Sequence, residues 1–258
     1  METKTAGRSL ALHLTGERTV PGIPEENYWF RRHEAAYLAL LPHCAGATVL
    51  EAGCGEGYGA ALIAEHAARV LALDYDQPTV THVARRYPQV GTVRGNLAYL
   101  PLRDSTVDVV ANFQVIEHLW DQAGFLAECR RVLRPGGKLL VTTPNRLTFT
   151  PDSDTPLNPY HTRELAPSEL DTLLCEAGFE VEALHGLHHG AAVRALDERY
   201  GGSIIEAQLD VVLGELPGQA RWPDALLADV AAIRADGFEI TGGRLDESLD
   251  LIAVAVRP

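Results

Sequence analysis

The sequence predicts an α/β protein built on a mostly parallel sheet, and three observations carry that expectation. Apolar runs of four to six residues alternate with longer helical patterns, as strands joined by crossover helices do. Val49–Gly59, VLEAGCGEGYG, carries a strand into a turn with glycine at 53, 55, 57 and 59 and then into a helix. The closing run Ser248–Val256, SLDLIAVAV, alternates and then becomes apolar throughout, which fits a central strand.

In chain order, strands are expected at Thr48–Ala52, Val70–Leu73, Thr92–Arg94, Val107–Asn112 and Lys138–Thr143. Helices fit between them at Tyr58–Ala68, at Pro78–Arg86 with proline in the first turn, and at Gln122–Leu133 before Arg134-Pro135-Gly136-Gly137. The run TPNRLTFTPDSDTPLNPY has four prolines and no period, so it reads as an ordered loop over the sheet edge. A helix follows at Ser168–Ala177, opened by the capping-box variant Ser168-x-x-Asp171 and stopped by Gly178, and then a strand at Phe179–Gly186. Residues 187–247, beginning at His188-His189-Gly190, read as an insertion of helices that covers a site or forms a dimer contact.

Composition narrows the partners. With 35 acidic and 22 basic residues, the formal net charge is −13, and no Lys/Arg block stands out. A groove that tracks phosphates is therefore not expected, which argues against nucleic acid and for a small or neutral substrate. Cys44, Cys54, Cys129 and Cys175 are scattered with no C-x-x-C pair, and no charged-then-apolar leader precedes them, so a reduced, cytoplasmic chain without structural zinc is expected. No apolar run approaches the roughly 20 residues that span a bilayer, so no membrane partner is expected.

A glycine turn between strand and helix lets backbone N–H groups face a ligand with no side chains in the way. A dinucleotide fingerprint reads G-x-G-x-x-G, whereas here Glu51 precedes G-C-G-E-G-Y-G. A carboxylate there repels a pyrophosphate and suits a cationic amino group. Asp74 ends the second strand 74 − 53 = 21 positions after the first glycine, where an acidic residue hydrogen-bonds a ribose diol. An amino acid at one end and a ribose at the other describe S-adenosylmethionine.

Over about Val49 to Phe179 the chain resembles the class I S-adenosylmethionine-dependent methyltransferases. The matching pieces are EAGCGEGYG, LALDYD, the N-L-x-x-L-P segment Asn96–Pro101, the VDVV strand and RVLRPGGKLLVTTPN. The resemblance implies a Rossmann-like sheet with an antiparallel C-terminal strand. It puts the methionine part of the cofactor on Glu51, Gly53, Cys54, Gly55 and Gly57, the ribose on Asp74 and Tyr75, the adenine near Asn96 and Leu97, and Gln114 on the methionine side. It also implies a single domain: an N-terminal helical segment at 1–47 over the cofactor, a cofactor-binding core at 48–186, the insertion or lid at 187–247 and the last strand at 248–258. Within the first segment, Tyr28, Trp29, Arg31 and Arg32 would close the pocket, with Arg32 on the cofactor carboxylate.

FQVIEHLW sets Glu117 and His118 after the fourth strand, at the edge where doubly wound sheets present ligands, and NPYHTREL brings His161 back over that edge. Two chemistries remain open. A histidine, His161 or His118, acts alone as general base on a substrate hydroxyl, or Glu117, His118 and His161 hold a divalent metal, expected as Mg²⁺, that lowers the hydroxyl's pKa. Gln114-x-x-Glu117-His118 is similar to the E-x-x-E-H motif of metal-dependent ubiquinone-pathway and small-RNA methyltransferases. Gln114 replaces the first carboxylate of that motif, which predicts weaker metal binding. Asp154 and Asn158 are candidates to orient substrate hydroxyls.

Over its whole length, from LTGER through ENYWFRRH, NFQVIEHLWDQ, NPYHTREL and GGSII to SLDLIAVAVRP, the chain is similar to the mycobacterial O-methyltransferases of methylmannose polysaccharide synthesis. That resemblance implies magnesium-assisted methyl transfer to the reducing-end 1-hydroxyl of a short 3-O-methylated mannoside. A quinone or other small hydroxylated acceptor is the alternative, and a homodimer is expected.

Overall fold

The computed structural model describes residues 19–151, 153, 155–213 and 221–258. Residues 1–18 of the N-terminal segment, Asp152, Asp154 and residues 214–220 of the insertion lie outside them. The described residues form an eight-stranded sheet in the order β3-β2-β1-β4-β5-β8-β6-β7. The strands are β1 Thr48–Ala52, β2 Arg69–Asp74, β3 Gly91–Arg94, β4 Val107–Phe113, β5 Leu133–Pro144, β6 Glu180–His189, β7 Phe238–Thr241 and β8 Asp250–Val256. β1 to β5 are mutually parallel, and β8 inserts antiparallel between β5 and β6. β1 lies between β2 and β4, so the strand order reverses there, the point at which sheets of this kind carry their ligand crevice, beyond the carboxyl ends of the strands.

Alternation along these strands feeds two cores. On one face Val49, Val109, Leu140 and Ile252 pack under α1 (Asn27–Leu40), α2 (Tyr58–Ala64) and α3 (Gln77–Arg86). On the other, Leu50, Val110, Leu139 and Leu251 pack under α4 (Gln122–Val132). Central strands buried on both faces read as continuous apolar runs, which is why LIAVAV and VDVVANF are so poor in charge.

Four expectations need correction. The helix after the glycines stops at Ala64, because Ala68 and Arg69 donate their backbone N–H groups to Ala47 O and start the return into β2. The proline-rich run contains a short helix, α5 (Arg146–Phe149), capped by Asn145 Oδ1 on the Leu147 amide. The next helix, α6 (Pro167–Glu176), starts one residue early, and its capping carboxylate is Glu169, which accepts the Ala166 N–H at 2.7 Å; Ser168 and Asp171 do not form the box. Residues 187–247 are not all helical: besides α7 (Ala191–Arg199), α8 (Ile204–Leu213) and α9 (Asp224–Ala232) they supply β7, which pairs with Gly186–His189 at the sheet edge. His188 and His189 therefore end β6 on opposite faces, and do not open the insertion of helices. No helix among the described residues is long and apolar enough to cross a membrane.

Candidate active site

The crevice has two unlike halves. At the carboxyl end of β1, Glu51 is fully buried and Tyr37 Oη of α1 donates to its Oε1 at 2.7 Å. Its other oxygen, Oε2, is buried with no hydrogen-bond partner. Burial pushes the Glu51 pKa up to about 8, against the Tyr37 hydrogen bond. An orphaned carboxylate oxygen beside the turn is what a cationic amino group would satisfy.

The turn itself departs from the bare cradle expected. Gly53 and Cys54 donate their N–H groups to Leu73 O, Gly55 donates to Asp74 Oδ2 at 3.1 Å, and Gly57 donates to Cys54 O. The first three amides tie the turn to β2, and the fourth closes the turn on itself. Gly53 and Gly57 have φ of +91° and +94°, a region that disfavours any side chain. A Cβ on Gly53 would lie 2.7 Å from Val115, and one on Gly57 2.7 Å from Val83. The missing side chains at these two positions make room for the protein's own packing. Cys54 is buried beneath the turn.

Asp74 is buried, and its Oδ1 accepts the Asp76 N–H at 2.9 Å. Beyond it, Tyr75, Arg94, Gly95, Asn96, Leu97 and Leu119 line an open pocket of about 570 Å³. The structure thus brings Tyr75, Asn96 and Leu97 together beside Asp74, on the flank expected for an adenosine. Gln114 follows β4 in a left-handed conformation, φ +56°, with Nε2 3.4 Å from Thr142 Oγ1.

The other half lies past β4. Glu117, His118 and His161 present ligand atoms that all lie within 4.8 Å of one another. Glu117 is buried and accepts Thr143 Oγ1–H on Oε2 at 3.0 Å. Burial pushes its pKa up to about 8, with the carboxylates of Asp250 and Glu164 adding in the same direction. Each imidazole is oriented through Nδ1: His118 on Tyr160 O at 2.9 Å and His161 on Glu164 Oε1 at 2.6 Å. With Nδ1 as the N–H in each ring, Nε2 is the basic nitrogen, and on His161 it accepts Asn158 Nδ2–H at 3.1 Å. An outer carboxylate or carbonyl on the far nitrogen is the arrangement that fixes the tautomer of a metal-ligating histidine. Thr162 stitches the two segments together, donating N–H and Oγ1–H to Glu117 O and also Oγ1–H to Leu119 O.

The N-terminal helix differs from expectation. Tyr28 is fully buried with its hydroxyl 2.7 Å from His189 Nε2, and His189 Nδ1 is 2.6 Å from Asp197 Oδ2, so Tyr28 faces β6 and α7. Arg32 is buried in a fork on Asp250, Nε to Oδ2 at 2.6 Å and Nη2 to Oδ1 at 2.5 Å, and Nη2 also donates to Leu249 O. The carboxylate on Arg32 belongs to β8 and not to a cofactor. Trp29 edges onto Tyr28, and Arg31 pairs with Glu34 at 2.6 Å.

Two residues escaped the sequence reading. Glu164 sits three positions after His161, a spacing that could have flagged it. Tyr37 offers no local signal beyond its place on an aromatic helix; its ring stands where a Gly59 Cβ would be, 2.2 Å away, and stacks edge-on to Phe113 at 4.5 Å.

A family profile described as a methyltransferase domain matches residues 50–141. A protein of Mycolicibacterium smegmatis, described as a probable S-adenosylmethionine-dependent methyltransferase, is 62% identical over 96% of this chain and 96% of its own. A ubiquinone biosynthesis O-methyltransferase of Methylocella silvestris is 33% identical over 49% of this chain and 47% of its own. Among solved structures, an S-adenosylmethionine-dependent methyltransferase of Mesorhizobium loti superposes with a TM-score of 0.56 at 17% identity, over 88% of this chain and 98% of that one, a likeness of fold.

Proposed function

The chain belongs to the S-adenosylmethionine-dependent methyltransferases, and from that premise we propose that it is a metal-assisted O-methyltransferase. We take its acceptor to be a sugar hydroxyl, most specifically the 1-hydroxyl of a short 3-O-methylated mannoside in methylmannose polysaccharide synthesis. The observation that supports a metal-assisted O-methyl transfer is the convergence of Glu117, His118 and His161 at the crevice, each already oriented by a second group. The sugar comes from the whole-chain resemblance to the mycobacterial enzymes.

S-adenosylmethionine supplies the methyl group from its sulfonium. In this reading Glu51 takes the amino group, Asp74 and Tyr75 the ribose, Asn96 and Leu97 the adenine, and Gln114 borders the methionine. A sugar hydroxyl is a poor nucleophile with a pKa far above neutrality, so its proton must be taken or its charge offset as the C–O bond forms. A divalent cation held by Glu117, His118 and His161 would supply Lewis acidity toward that hydroxyl. Two imidazoles and one carboxylate are a softer set than Mg²⁺ prefers, so Mn²⁺ is expected to act at lower concentration than the Mg²⁺ of the resemblance. If the reaction runs without an ion, His161 Nε2 takes the proton, and Glu164 on Nδ1 stabilises the imidazolium. Asn158 then holds the acceptor or His161 in place.

The test is transfer of labelled methyl to a 3-O-methylated mannoside, with EDTA and then with Mg²⁺ or Mn²⁺ restored. Metal-dependent product supports the whole reading, and metal-independent product keeps the sugar and moves the chemistry to the His161–Glu164 pair. No product from a protein that still binds cofactor overturns the acceptor. A catechol run in parallel tests the second reading, a quinone or other small hydroxylated metabolite, which the Methylocella relative favours. We also read the chain as cytoplasmic and residues 187–247 as a lid or homodimer contact; the mass in solution distinguishes those two roles.

A further inference from the structure

With Arg32 held by Asp250, an amino acid seated on Glu51 would lack the carboxylate partner that the sequence offered it. Arg31 is paired with Glu34. The glycine turn is no substitute, because the N–H groups of Gly53, Cys54, Gly55 and Gly57 are bonded within the protein. His33 stands where that partner is needed. At 3.6 residues per turn, α1 turns one ridge, Tyr28 and Arg32, to β6 and β8, and another, Phe30 and Tyr37, to the Tyr58 ring of α2 at 5.1 and 5.6 Å. His33 is half-buried between these ridges, four residues before Tyr37, whose hydroxyl holds Glu51. Direct contacts fix its ring: Thr19 Oγ1 is 3.4 Å from His33 Nδ1 and 3.1 Å from Tyr58 Oη. With Tyr58 donating to Thr19 and Thr19 to Nδ1, the ring proton sits on Nε2, a donor with no partner among the described residues.

We propose that His33 Nε2–H donates to the carboxylate of the cofactor's methionine moiety, beside the amino group on Glu51. This rests on the cofactor placement proposed above. An α-amino acid carries its ammonium and carboxylate on one carbon, so their two partners must stand within about two hydrogen-bond lengths of the same point. The i, i+4 spacing of His33 and Tyr37 puts the imidazole beside the side chain that holds Glu51, on one face of α1. A neutral ring suits the place. Burial holds the His33 pKa down to about 4, with the Asp250 carboxylate opposing and the Arg32 guanidinium adding to the fall. The ring therefore places no second charge beside Arg32, and it still offers an N–H at neutral pH.

The experiment is calorimetry without acceptor, comparing S-adenosylmethionine with its decarboxylated form, which keeps the amino group, on wild type, H33L and H33Q. Wild type should prefer the complete cofactor by about 10- to 100-fold, the worth of a hydrogen bond to a charged group. In H33L that preference should fall to within about threefold, through loss of affinity for the complete cofactor alone. An unaltered affinity of H33L for the decarboxylated form shows that its pocket is intact. H33Q, whose amide N–H reaches as far as Nε2–H, should keep a preference of about tenfold. A preference unchanged in H33L, or an equal loss of both ligands, overturns His33 as the carboxylate partner and leaves the Glu51 placement standing. Glu51→Gln separates the two claims, because both ligands carry the amino group and should weaken alike. A Glu51→Gln protein that binds both as well as wild type overturns the amino-group placement, and the carboxylate inference falls with it.

Discussion

Glu51 stands near the end of β1 and Glu117 just past the end of the neighbouring β4, and the two are alike in most respects. Each is fully buried, each has its pKa pushed up to about 8 mainly by burial, and each accepts one hydroxyl, from Tyr37 and from Thr143. Their surroundings separate them. Glu51 holds the Tyr37 hydroxyl on one oxygen and leaves the other buried without a hydrogen-bond partner, the place proposed for one cationic guest. Glu117 has two imidazoles within reach. The shared lesson is that a buried carboxylate is stored as a near-neutral acid until a positive partner arrives. What that partner is depends on the second layer of residues.

The comparison breaks hardest at the imidazoles. His161→Ala should lower turnover by about 10³-fold while cofactor affinity, read by calorimetry, stays within about threefold, because the change touches only the Glu117 half. EDTA treatment of wild type should mimic it. Equal losses in turnover and in cofactor affinity would mean that the two halves are not separate.

Next in size is Glu51→Gln, which keeps the shape and removes the charge. A charge-assisted hydrogen bond is worth about 1.5–3 kcal/mol, so cofactor affinity should fall by about 10- to 100-fold with turnover at saturation little altered. The pH dependence has a definite sign. With a pKa of about 8 in the unliganded protein, Glu51 must lose a proton to meet a cationic amino group, so affinity should rise from pH 5.5 to 7.5 with proton release, and Glu51→Gln should flatten the slope. The same raised pKa stabilises the unliganded fold below the ordinary value of 4.5, and that contribution is lost as the pH climbs through about 8. A pH-independent cofactor affinity in wild type would remove Glu51 from the amino-group site.

Local spacing made one part of this architecture legible and topology hid the rest. Glu51, the glycines and Asp74 follow one another along a strand–turn–helix–strand unit, so their grouping could be read from sequence intervals. Glu117 and His118 were legible because a strand end fixes where they go. Arg32 was misread because its partner, Asp250, is 218 positions away, on a strand that enters the sheet last. Tyr28 was drawn from the cofactor to His189 for the same reason, across 161 positions. β7 escaped because FEIT is four residues long between glycines, too short for its alternation to outweigh the helical patterns around it. The glycines signalled a tight turn correctly, but not that Val115, Val83 and Tyr37 would take the space they leave.

The smallest change sharpens the comparison most, because it removes one hydroxyl from each glutamate. Tyr37→Phe takes the donor from Glu51 Oε1, and Thr143→Val takes it from Glu117 Oε2. Each lost hydrogen bond should cost about 1 kcal/mol or a little more, roughly a fivefold effect, but on different observables. Tyr37→Phe should weaken cofactor binding and move its pH dependence upward, since Glu51 loses a group that favours its ionised form. The Phe ring still fills the space above Gly59, so the packing on Phe113 survives. Thr143→Val should leave cofactor binding alone and raise the metal concentration needed for half-maximal activity. If Tyr37→Phe altered the metal requirement, or Thr143→Val the cofactor affinity, the two carboxylates would be communicating through β1 and β4, and the crevice would have to be treated as one coupled site.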